Sequence, residues 1–171
     1  AIETVLPVSR LRYIAFSHFE ADECGAMNEF LGLAPKAEVV CGKIAAMTSA
    51  GDQANRPPRA MADGETLKLG RREMRWLDAP HLPHGWDCGY MAETTTKTLF
   101  CGDLFTQAGS DNPALTESDI LEPSEAMRHG LDYFAHGRDT TPLLEKLAQQ
   151  QPAVLACMHG STWKGDGAAL M

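Results

Sequence analysis

No stretch of this 171-residue chain is apolar enough to span a membrane. No Lys/Arg cluster is larger than Arg71-Arg72 with Arg75 nearby. The first absence argues against a membrane partner, and the second removes the electrostatic footprint that nucleic acid requires. There is no C-x-x-C pair. The five cysteines, Cys24, Cys41, Cys88, Cys101 and Cys157, stand apart and are odd in number. That pattern speaks against both a disulfide scaffold and a thiolate zinc site. Free thiols fit a reducing compartment, so a cytoplasmic location is expected. Internal repeats, low-complexity tracts and a visible signal peptide are also lacking, although the sequence starts at Ala1 rather than at Met.

What remains is the composition of a globular protein, 44% hydrophobic and 22% charged, with a net charge of -8. The length suits one domain with a real core. If several of the carboxylates bind metal, the formal charge overstates the true surface charge.

A coarse pass predicts a buried strand over Leu11–Ser17 running straight into His18, then a helix over Ala21–Leu33. A short strand (Ala37–Cys41), a short helix (Lys43–Ser49) and a proline-containing loop (Gln53–Arg59) follow. Glu65–Leu69 and Glu73–Ala79 read as a hairpin about Gly70, and Tyr90–Glu93 and Thr98–Cys101 as another strand pair. Gly109–Thr116 reads as loop, Ser124–Ala135 and Thr141–Gln150 as helices, and Ala153–Met158 as a strand ending at His159. Hairpins followed by alternating helices and strands indicate a layered α/β fold (α+β layers) rather than a pure parallel sheet.

Four points place a His or a carboxylate just past a predicted strand: His18/Glu20/Asp22, His84, Asp103 and His159. Such strand ends are where layered α/β proteins gather their sites. Alternate residues of an extended segment face one side, so His18 and Glu20 can face one metal. The turn into the helix swings Asp22 toward a second. Two cations roughly 3.5–4 Å apart need a bridge. Asp103 is the candidate, because Gly102 lets the backbone come close. Taken singly, each residue has a blander reading as a cap, turn or loop residue. Together they point to a binuclear metal site. His81 reads equally well as a supporting residue or as surface loop. His129 and His136 read as structural, the cysteines as small buried hydrophobes with Cys157 near the site, and Met27 and Met47 as core.

The ordered motifs H-x-E-x-D-E, L-P-H-G-W-D, L-F-C-G-D-L-F and M-H-G-S-x-W resemble the metallo-β-lactamase superfamily. Within it the resemblance is closest to flavodiiron proteins and stand-alone oxygen-binding diiron proteins, and it covers about Leu11 to Gly167. It implies an αββα sandwich with the site at one edge of two sheets. It also implies that His18, Glu20 and His84 hold one metal, that Asp22 and His159 hold the other, and that Asp103 bridges. Three departures stand out. Glu20 and Glu23 replace the two later histidines of the hydrolytic H-x-H-x-D-H motif. No flavodoxin-like segment follows. The first motif begins at residue 18, where superfamily domains have several strands before it. The expectation is therefore a single partial domain over 1–171 that lacks its N-terminal strands, with its sheet edge covered by another chain or a second copy.

Two histidines and one carboxylate suit nonhaem iron, and three carboxylates bring two divalent cations near neutrality. The cofactor expected is therefore two metal ions. Iron ranks first, with manganese or zinc as alternatives. Two functions follow. One is a diiron protein binding dioxygen, as sensor, carrier or dioxygen/nitric-oxide reductase, with an external electron donor and a homo-oligomeric state. The other is a binuclear hydrolase of zinc or manganese, acting on another small molecule, in which Asp22 positions a metal-bridged hydroxide as a catalytic residue.

Overall fold

Side-chain alternation fixes how the layers stack. In Glu38–Gly42 (β2), Val39 and Cys41 enter one apolar cluster, while Val40 between them enters another. In Arg72–Asp78 (β5), Trp76 shares the cluster of Val40, whereas Leu77 points the opposite way. Gly89–Glu93 (β6) repeats the pattern, with Met91 on the side of Val40 and Tyr90 and Ala92 on the other. The computed structural model describes residues 1–171.

Two sheets result. Tyr13–Ala15 (β1), β2 and Arg59–Met61 (β3) form a parallel sheet in the order β1-β2-β3. The larger sheet contains Thr66–Leu69 (β4), β5, β6, Thr98–Phe100 (β7), Val154–Ala156 (β9), Thr162–Lys164 (β10) and Leu115–Thr116 (β8), in the order β4-β5-β6-β7-β9-β10-β8. β4 to β7 run as antiparallel neighbours, and β7 pairs with β9 in parallel. Val40, Met61, Leu67, Trp76 and Met91 fill the space between the sheets.

Helices close both outer faces. Ala21–Cys24 (α1), Met27–Leu33 (α2), Lys43–Met47 (α3) and Ser49–Gln53 (α4) cover the small sheet through Cys24, Met27, Leu31, Ala45 and Ala50. On the far side, Leu121–Leu131 (α5) and Thr140–Ala148 (α6) flank the large sheet, and Leu143, Leu144 and Leu147 of α6 pack against Leu99 and Leu155. Gly167–Leu170 (α7) ends the chain. This is the expected αββα sandwich. The small sheet faces only the β4–β6 part of the large one, and Phe100 of β7 is 47% exposed. No helix is long and apolar enough to cross a membrane.

Several expectations need correction. The predicted helix over Ala21–Leu33 is two helices, with the poor helix former Gly25 at the break. The first strand is only Tyr13–Ala15. The loop read over Gly109–Thr116 ends in β8, and the loop read over Gln53–Arg59 gives Gln53 to α4 and Arg59 to β3. β3 and β8, of three and two residues, carry too few alternations to stand out from the loops around them. β10, set between Ser161 and Gly165, was missed for the same reason. α5 and α6 begin and end earlier than expected, at Leu121–Leu131 and Thr140–Ala148. Met27 is buried, but Met47 is 78% exposed. Two positions beyond the buried Ala45, it lies roughly 200° around the helix, on the water side.

Candidate metal centre

β1 delivers the chain to Ser17 and His18, Glu20 caps the start of α1, and the first turn of α1 presents Asp22. The loop after β5 presents His84, the turn after β7 presents Asp103, and the turn after β9 presents His159. His18, Glu20, His84 and Asp103 offer ligand atoms that lie within 4.8 Å of one another, and Asp22, Asp103 and His159 do the same. All six predicted ligands thus converge, in two groups that share Asp103.

The distances suit a shared cation in each group. Donors held about 2.0–2.2 Å from one ion lie roughly 3.0–3.5 Å apart at ordinary coordination angles. In the first group, His18 Nε2 and His84 Nε2 are 3.0 Å apart. Glu20 carboxylate oxygens lie 3.6 Å from His18 Nε2 and 3.2 Å from His84 Nε2. Asp103 Oδ2 lies 3.5 Å from the first of these nitrogens and 3.3 Å from the second. In the second group, His159 Nε2 is 3.4 Å from Asp22 Oδ2 and 3.3 Å from Asp103 Oδ1. Asp103 therefore turns one oxygen to each group.

Two features of the protein alone call for positive charge here. Asp103 Oδ1 is buried and has no hydrogen-bond partner, a state that native proteins rarely leave uncompensated. The histidine tautomers tell the same story. His84 Nδ1 lies 2.9 Å from the Tyr133 carbonyl, which can only accept, so a neutral ring has its Nε2 lone pair bare. Ser17 Oγ donates to Glu23 Oε1 at 2.9 Å and accepts from His18 Nδ1 at 2.9 Å, which also leaves His18 Nε2 bare. This assignment follows from the network. Two facing lone pairs and three convergent carboxylates repel unless a cation lies between them.

The residues holding the ligands were largely missed by sequence reasoning. Glu23 belongs to neither group. It reaches His18 only through Ser17, and its Oε1 stays 3.9 Å from His18 Nδ1. Burial pushes the Glu23 carboxyl up, and the Ser17 hydrogen bond opposes that rise. Asp87 accepts from the Phe19 N–H at 3.0 Å, fixing the turn between His18 and Glu20. Thr106 Oγ1 and Tyr133 Oη donate to the Asp103 carbonyl at 2.7 and 3.2 Å. Gly102 has φ +47°, and a Cβ there would stand 2.5 Å from Ser17 Oγ, so only glycine lets the Asp103 turn close on Ser17. Such supports carry no motif; a serine beside a histidine and a lone aspartate are ordinary in sequence.

The remaining candidates stand apart. His81 is exposed in its loop. His129 pairs with Glu125 on the surface of α5, and His136 pairs with Asp132 at 2.7 Å, both solvent-facing. Cys24, Cys41, Cys88 and Cys101 are buried, and Cys157 is half-buried. The ligand atoms grade outward, from His18 at 1% side-chain exposure through Asp103 at 11% to Glu20 and Asp22 at 49% and 54%. The centre thus has a closed floor and an open rim.

With this geometry, the model of the family described as ODP family beta lactamase matches residues 1–160. The chain belongs to that family. A diflavin flavoprotein, A 2 of Synechocystis sp., is 26% identical over 163 residues, covering 93% of this chain and 28% of its own length. The chain thus spans little more than a quarter of that relative. Two solved structures share the fold of this ODP-family chain. The metal-soaked Flv1 flavodiiron core from Synechocystis sp. aligns with a TM-score of 0.81 at 21% identity, over 99% of this chain and 43% of that one. The chemotaxis sensor ODP, solved as a peroxy diiron species, aligns at 0.80 and 19% identity, over 98% and 71%. An apo state of that sensor, from T. denticola, shares the fold as well.

Proposed function

We propose that this chain is a nonhaem diiron domain that binds dioxygen, serving as a sensor, a carrier or the dioxygen- or nitric-oxide-reducing part of a larger system. The observation that carries the reading is the donor set: two histidines with Glu20 around one position, and Asp22 with His159 around the other. The buried, partnerless Oδ1 of Asp103 faces the second. His18, Glu20 and His84 would hold one iron, Asp22 and His159 the other, and Asp103 both. A bound iron pair supplies two electrons and open coordination positions for dioxygen.

The protein's own part is placement. Ser17 and the Tyr133 carbonyl hold the histidine rings so that Nε2 faces inward. Asp87 and Gly102 set the two turns that carry Glu20 and Asp103. The exposed Glu20–Asp22 rim leaves the ligand an approach from solvent. Iron leads the ranking over manganese and zinc because oxygen-rich, charge-balancing ligands suit a higher oxidation state. The flavoprotein relative and the diiron sensor support the same reading. An external electron donor, a homo-oligomer and a cytoplasmic location belong to the same proposal. The binuclear hydrolase, with Asp22 as a catalytic residue, is not favoured, since Glu20 stands where hydrolytic relatives of the superfamily carry histidine.

The test loads metal-free protein with iron(II) anaerobically, admits air and records the visible spectrum beside a zinc-loaded control. A new band that needs both iron and air is expected. No oxygen-dependent band, together with ester or phosphodiester turnover by the zinc form that Asp22→Ala abolishes, would overturn the reading.

A further inference from the structure

Two cysteines stand directly behind the candidate centre and contribute nothing to it. β7 and β9 are parallel neighbours in the register Phe100↔Ala156, and the Cys101 N–H carries the ladder onward by donating to the Ala156 carbonyl at 2.9 Å. Cys101 and Cys157 are the next rung. Facing residues on adjacent strands sit about 4.8 Å apart, inside the roughly 4.4–6.8 Å Cα separation that a disulfide accepts. Their side chains share one face. Leu99 and Leu155, one alternation earlier, lie in the core cluster that Cys101 joins and Cys157 packs against. Each thiol donates to the carbonyl two residues back on its own strand, Cys101 to Leu99 at 3.5 Å and Cys157 to Leu155 at 3.8 Å, so the two hang from matching positions on neighbouring strands.

Access distinguishes the partners. Cys101 is fully buried, but Cys157 is half-buried and lines a solvent-open groove of about 420 Å³, together with Phe100, Gly102, Ala156 and Met158. Cys24, Cys41 and Cys88 are all buried. A small oxidant entering the groove therefore meets Cys157 first, with Cys101 waiting behind it.

We infer that Cys157 and Cys101 form a peroxide-sensitive dithiol, with Cys157 as the attacked thiol and Cys101 as the resolving one. The Cys157 sulfur attacks one oxygen of hydrogen peroxide. The O–O bond breaks, a sulfenic acid forms, and the second oxygen leaves as water with the thiol proton. The Cys101 sulfur then displaces the hydroxyl, forming the S–S bond and releasing a second water. Two thiols and one peroxide become one disulfide and two waters; the sulfurs lose two electrons and the peroxide gains them. The new bond ties β7 to β9 two residues before Asp103 and two before His159, so thiol oxidation is transmitted to both strand ends that carry the candidate centre. The peroxide comes from solution, so the inference stands independently of which metal is bound.

The full chain, reduced and freed of reductant, is treated with a few equivalents of hydrogen peroxide, blocked with N-ethylmaleimide and mapped by peptide mass spectrometry. The expected result is a fall from the five free thiols to three, with a Cys101–Cys157 cross-link that dithiothreitol reverses. In Cys101→Ala, Cys157 stops at a dimedone-reactive sulfenic acid. Five thiols surviving peroxide, a Cys24–Cys41 cross-link in place of the expected one, or a cross-link that disappears on dilution would each overturn the inference. The wild-type map alone decides the question if the variant does not fold.

Discussion

Replacing Ser17 with alanine separates the two roles that Glu23 could play. The Ser17 hydroxyl lies 2.9 Å from both His18 Nδ1 and Glu23 Oε1, so it is the sole link between them. His18 is 1% exposed, while Ser17 lines the solvent-open groove, where water can partly replace the hydroxyl. A buried N–H left without an acceptor costs about 1–3 kcal/mol. Loss of a support behind a metal-binding histidine weakens metal affinity by roughly 10–100-fold, about 1.4–2.8 kcal/mol. The two ranges agree. Anaerobic competition of iron(II) against a chromophoric chelator, with metal content measured in parallel, should give that loss in Ser17→Ala while two metals per chain still bind at saturation. Glu23→Gln keeps an acceptor for Ser17 and should lose less. The opposite pattern, with Ser17→Ala within twofold of wild type and Glu23→Gln short of one metal, would make Glu23 a direct ligand and refute the argument.

Asp103→Asn keeps the size of the side chain but removes the charge facing both groups; metal content should fall below two per chain even at saturating iron(II), as read by elemental analysis. Glu93 accepts from Thr96 and Thr95, chiefly through the Thr96 hydroxyl, and its carboxyl is held down at about 2. A carboxyl depressed on folding adds stability above its unfolded value near 4.5, and that contribution is lost as pH falls toward 2. Thermal unfolding should therefore show a smaller drop between pH 4.5 and 2 in Glu93→Gln than in wild type. Arg56 donates to the carbonyls of Pro35, Leu31 and Ala34 at 2.7, 2.8 and 3.1 Å, closing the end of α2. Arg56→Ala should destabilise by about 2 kcal/mol in urea unfolding, with metal stoichiometry unchanged.

How much of this was legible in the sequence depends on the signal each part carries. The six candidate ligands were readable because His and carboxylate residues at strand ends are few, and four such points in order are hard to explain otherwise. The long elements were readable from periodicity: β5, β6 and α6 each bury a side-chain pattern that spans several turns or alternations. β3, β8 and β10 were not, since pairing with neighbours rather than local pattern makes them strands. Met47 misled because hydrophobicity says nothing about which side of a five-residue helix a residue occupies. The hydrogen-bonding supports were invisible for a related reason. Ser17, Asp87 and Tyr133 act through contacts that span up to 68 residues, or through a neighbour whose partner lies elsewhere, and no spacing rule encodes them. Glu23 directly follows the candidate ligand Asp22, and it is the hydrogen bond from Ser17 that assigns it to support.

The proposed function rests on two metals per chain held in two groups that share Asp103. Elemental analysis of anaerobically iron-loaded wild type beside His159→Ala tests that directly, because His159 belongs to one group only. The expected result is two irons per wild-type chain and one per variant chain. A single iron in the wild type, or two irons retained by His159→Ala, would contradict it.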